Sequence, residues 1–69
     1  MNWIKAPMGW WLIGAYRAKL AHLWTGADGR AWAVIFRKVG ENLSRGPYPT
    51  EDVGMKALVE ELTPKPKTA

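Results

Sequence analysis

Two adjacent tryptophans, Trp10 and Trp11, set the tightest limit on how this chain can fold. Neighbouring side chains on a strand point to opposite faces, so the pair puts an indole on each side of any sheet that contains it. A chain of 69 residues makes one domain, which at that size buries only about 60% of the surface its unfolded state exposes. Five tryptophans, each able to bury about 150–250 Å², must then share one small core. A sheet with one covered face cannot hold them all. The surplus indole is covered by residues 1–9 folding back through Trp3, Ile4 and Met8, or it faces a partner, or it meets a second copy in a homodimer.

Periodicity supplies the elements. From Trp10, the even positions Leu12, Gly14, Tyr16, Ala18, Leu20, His22 and Trp24 alternate with Arg17 and Lys19, which predicts a strand over 10–24. Tyr16, Leu20, Leu23 and Trp24 also fit a helical spacing, but Gly9, Gly14 and the aromatic content favour a strand. Asp28-Gly29 closes a turn over 25–29, because glycine supplies the positive φ that tight hairpins need. The next strand runs over 30–38, with Trp32, Val34 and Phe36 on one face and Ala31, Ala33, Ile35 and Arg37 on the other. A second turn centres on Gly40, and a short third strand follows over 41–45. Pro47 and Pro49 end the sheet, since proline cannot donate to the ladder. Thr50 caps a helix over 51–62 that opens on Glu51 and Asp52 and docks Met55, Leu58, Val59 and Leu62 on the sheet. The expected fold is α+β, a three-stranded antiparallel β-meander packed by one C-terminal helix (βββα). It occupies 10–62, after an N-terminal segment 1–9 and before a disordered Pro/Lys tail 63–69.

Composition removes most chemistry. The chain has no cysteine, so thiolate catalysis and cysteine-bound zinc are excluded, and a reducing, cytoplasmic setting is expected. One histidine, His22, cannot build a multi-histidine metal site, and as a member of the apolar register it reads as a packing or hydrogen-bonded residue. Glu51-Asp52 and Glu60-Glu61 are helix neighbours that point apart, so neither is a carboxylate dyad. No enzyme, cofactor or metal is expected. The apolar run from Ala6 to Tyr16 is 11 residues long, short of the roughly 20 a spanning helix needs, so its length argues against a membrane span. Trp3, Trp10 and Trp11 beside Lys5 leave interfacial anchoring as a minor reading.

Charge points to an anionic partner. The net charge is +4, and the cations gather in residues 1–46, where Lys5, Arg17, Lys19, Arg30, Arg37, Lys38 and Arg45 face only Asp28 and Glu41. Were the helix to cover the Trp32 face, Arg37, Arg17 and Lys19 would line the open face beside one of the Trp10/Trp11 pair. A solvated strand face, on which cations discourage edge pairing, is the bland reading of the same residues.

The stretch Gly29 to Arg37, then Gly40, then Pro47 to Asp52 and the helix, is similar to the three-stranded-sheet DNA-binding domains of the AP2 type and of tyrosine-integrase N-termini. It covers about half of the chain. The resemblance implies strands inserted in the DNA major groove, with Arg30, Trp32 and Arg37 touching DNA, and a phage or mobile-element setting; Arg17, Lys19 and Lys38 join them on charge. The expected function is a small basic nucleic-acid-binding module, for DNA, acting through the exposed sheet face. The alternative is a protein-interaction or inhibitor module docking through Trp10, Trp11 and Arg37, since Trp and Arg also dominate protein interfaces.

Overall fold

Ala31 and Ala33 alternate with Trp32 and Val34 along one strand, and this alternation of small and large side chains decides which face of the sheet receives the helix. In the computed structural model, which describes residues 1–63, five strands and one helix follow in order. They are β1 (Asn2–Lys5), β2 (Trp10–Ile13), β3 (Lys19–Thr25), β4 (Ala31–Ile35), β5 (Leu43–Tyr48) and α1 (Glu51–Leu62), with a 3₁₀ turn at Ala15–Arg17 between β2 and β3. The strands form one antiparallel sheet in sequence order. The fold is α+β, but the expected three-stranded meander is corrected to five strands.

Each departure has a local cause. Residues 2–5 do not fold back over a face; they add an edge strand in the plane of the sheet, with Trp3 opposite Leu12 and Ile4 opposite Trp11. The predicted strand over 10–24 is broken in two because Tyr16 and Arg17 adopt left-handed backbone, φ 57° and 59°, and reverse the chain. At the other edge, β5 continues through Pro47. Ala31 pairs with Tyr48 and Ala33 with Arg45, so Gly46 and Pro47 together oppose Trp32 in a bulge. An edge-strand bulge is a place where a missing N–H leaves the ladder unharmed. The helix bounds and the Thr50 cap agree with the sequence reading, the Thr50 hydroxyl accepting from the Val53 N–H at 3.2 Å. Of the expected tail, only Thr63 lies within the described residues.

α1 packs on β3, β4 and β5. Beneath it lie Ala21, Ala31 and Ala33, whose small side chains let the helix approach, with Leu12, Leu23, Ile35 and Leu58 completing a buried cluster. Met55, Val59 and Leu62 pack against it from the helix, as the apolar stripe predicts. The core contains no buried polar or charged residue among those described. The condition that the helix lies over Trp32 therefore fails. It lies over the alanine face, and Trp32, Val34 and Phe36 stand on the other side, because three bulky side chains under a three-turn helix would hold it off the sheet.

Candidate functional site

The face opposite α1 carries a row of cross-strand partners running Ile4, Trp11, His22, Val34 and Ser44 from β1 to β5. Trp24 and Trp32 form the neighbouring pair on the same face. No second layer of chain covers this surface among the described residues. Ile4 is 49% exposed and Met8, in the β1–β2 turn, 68% exposed, while Trp11, His22, Trp24 and Phe36 are half-buried.

The rings form a pile. Trp11 stacks on His22 with centroids 4.3 Å apart and planes 21° from parallel. His22 lies 5.3 Å from Trp24, and Trp11 lies 6.0 Å from Phe36. The His22 ring is fixed by its Nε2–H, which donates to the Met8 carbonyl at 2.7 Å. Trp32 sits apart, packed between Gly26 and Gly46, where a side chain on either glycine would meet its indole or its own backbone. Lys19 joins the pile from the side, its ammonium 4.3 Å from the Trp11 centroid, an attraction worth about 0.5–1 kcal/mol at an exposed site.

A register shift at Leu12/Ile13 makes this possible. It places Ile13 opposite Lys19, so that Leu20 packs on the core while Lys19 reaches the open face. Beside it, Asn2, Ile4, Ile13, Arg17 and Lys19 line an open depression of about 370 Å³. The two left-handed residues of the preceding turn each cost roughly 1–2 kcal/mol, and their geometry brings Arg17 to the depression while leaving Tyr16 fully exposed.

Acids are kept off the strands. None of the five strands contains an aspartate or glutamate; Glu51, Asp52, Glu60 and Glu61 all lie on α1, and the remaining acids, Asp28 and Glu41, lie in turns. Antiparallel connection puts the β2–β3 and β4–β5 turns at the same end, so Arg17, Lys19, Arg37 and Lys38 gather there. Arg30 occupies the other end, its Nε 3.9 Å from Asp28. The groups whose acidity is displaced lie on the helix side. Arg45 donates to both carboxylate oxygens of Glu61, which holds Glu61 below the ordinary carboxylate range and raises Arg45; burial raises Tyr48.

Of the residues expected at a site, the structure brings together Arg17, Lys19 and Trp11. Trp32 shares their face at the far end of the sheet. Arg30, Arg37 and Lys38 belong to turns rather than strands. Trp10 is on the helix side, where its Nε1–H donates to Glu51 at 3.2 Å and Lys5 sits 4.6 Å from its ring, so it does not act with Trp11. Sequence reasoning missed His22, Trp24, Phe36 and Ile4 as surface residues. An unbroken even register assigned His22 and Trp24 to the face of Trp10 and Leu12; that register holds through Leu20, and the bulge that puts both Leu20 and Ala21 on the core reverses it beyond. Among the described residues no group of three or more metal-ligating side chains converges, and no helix is long and apolar enough to cross a membrane. Compared with known proteins, the chain matches no family model, no curated protein and no solved structure.

Proposed function

We propose that this protein is a small, non-enzymatic nucleic-acid-binding module that uses the open face of its sheet. The observation that carries the reading is the coincidence of an aromatic pile with cations on a face whose strands carry no acid: Trp11, His22 and Trp24 beside Lys19 and Arg17, with every helix carboxylate on the other side. Rings offer base-stacking surface and cations offer phosphate contacts, and the combination is what a sequence-tolerant nucleic-acid groove requires. Arg37 and Lys38 extend the cationic end, while Arg30 and Trp32 supply a second, weaker contact region at the other. The cysteine-free composition supports action in the cytoplasm. Of the residues expected for protein docking, Trp10, Trp11 and Arg37, Trp10 lies on the helix side, engaged with Glu51 and Lys5, apart from the other two.

Titration of a fluorescently labelled oligonucleotide, offered both single-stranded and as duplex at low and moderate salt, tests this. Binding of at least one form should weaken steeply with salt. Arg17→Ala, Lys19→Ala and Arg37→Ala should each flatten that dependence, by roughly 0.7–0.9 in the log–log slope for every phosphate no longer neutralised. Failure of both forms to bind at low salt would end the reading.

A further inference from the structure

We infer that the ligand of this face is a single-stranded nucleic acid, held by stacking of unpaired bases on Trp11 and Trp24 with phosphates at Arg17 and Lys19; the inference rests on the nucleic-acid reading above. It departs from insertion of the sheet into a duplex groove. Major-groove reading needs side chains that present hydrogen-bonding groups to base edges, Arg, Asn or Gln above all. Along the open face the strands present Ile4, Trp11, Trp24, Trp32 and Val34, with His22 tied to the Met8 carbonyl; the polar Asn2 and Lys19 stand at one end beside the depression, and the arginines expected to read bases, Arg30 and Arg37, lie in turns at opposite ends. What the face presents is ring surface, and the faces of bases inside a duplex are already stacked on one another. A single strand has them free.

Lys19 gives the site a means of exchange. Its ammonium occupies the Trp11 ring at 4.3 Å in the free protein, and a base arriving on that ring displaces it toward the phosphate of the same strand. Arg17, in the same depression, holds the next phosphate.

The test uses the full chain with a short thymidine-rich single strand, its duplex, and the RNA of the same sequence. Tryptophan emission should fall on adding either single strand, with affinity at least about tenfold above that for the duplex. Trp11→Ala and Trp24→Ala should each weaken the single strand about 10- to 100-fold, as stacking energies imply, while Trp11→Phe, which keeps a ring, restores most of the affinity. That rescue separates stacking from a folding defect. A duplex bound as tightly as the strands overturns the inference and leaves the nucleic-acid reading standing. Binding without any change in tryptophan emission overturns stacking. If neither strand nor duplex binds, both readings fall together.

Discussion

Gly54 shows how one residue answers to packing rather than to its own element. In the first turns of a helix a glycine costs about 1 kcal/mol relative to alanine, so by propensity alone this position is a defect. Its neighbours explain it: a Cβ there would stand 2.9 Å from Cδ2 of Tyr48 and 3.0 Å from Cδ1 of Leu23. The Tyr48 ring packs against the core from β5 and cannot swing aside cheaply, so the glycine is what lets α1 settle on the sheet. Gly54→Ala is therefore expected to destabilise the protein by about 1–2 kcal/mol net, overpacking outweighing the gain in propensity. Urea unfolding with an unchanged slope and a lower midpoint would agree; a raised midpoint would show that the helix has room to spare. Gly9 is bound more tightly still. Its φ is +78°, and a side chain there would run into the carbonyl oxygen of Leu23.

The elements are held to each other by a few polar contacts at their ends. At the start of α1, Glu51 accepts from the Trp10 indole at 3.2 Å and from the Thr25 hydroxyl at 2.5 Å, so one carboxylate ties the helix to β2 and β3. Near its end, Glu61 receives Nε and Nη2 of Arg45 on β5 at 2.9 and 2.6 Å. The second tie titrates. The carboxyl of Glu61 is held below its ordinary range chiefly by the Arg45 hydrogen bonds, with burial opposing the effect. A depressed carboxylate contributes stability that is present above its unfolded value and disappears as pH falls through the folded one. Glu61→Gln should thus be less stable than wild type at neutral pH, by a small margin because the pair is only partly shielded from water, and equal to it in strong acid. Chemical unfolding of both proteins at the two pH values measures this; a difference that persists in acid would assign it to something other than ionisation.

At the scale of the molecule, one side of the sheet is closed and the other is open. The closed side holds a small apolar core in which Leu12, Leu23 and Leu58 are the largest fully buried side chains. Much of the aromatic surface is thereby left on the open side, where it adds to stability only as far as the rings cover one another. A ligand that occupies it should make up part of the missing burial. Single-stranded DNA at about 100 times its dissociation constant is expected to stabilise the fold by about 2.7 kcal/mol, an increase of roughly 10–20 °C in melting temperature for a domain of this size. Thermal melts followed by circular dichroism, with and without the oligonucleotide, test this. An unmoved melting temperature under saturating ligand would mean that the folded face is not the site.

Local signals were enough for the helix with its Thr50 cap, the turns at Gly29 and Gly40, the strand around Ala33, and the excess of cations before Gly46, because each depends on residues close in sequence. The pair Trp10/Trp11 likewise required that both faces carry indoles. Long-range packing settled the rest. Whether residues 2–5 cover a face or extend an edge depends on pairing with β2, and the face that takes the helix depends on the depth of Ala31 and Ala33 beneath it, neither of which alternation alone can express. The side of the sheet on which His22 and Trp24 stand was set by the bulge at Leu20, where two successive residues face the core and the phase of a pattern that looked continuous is reversed.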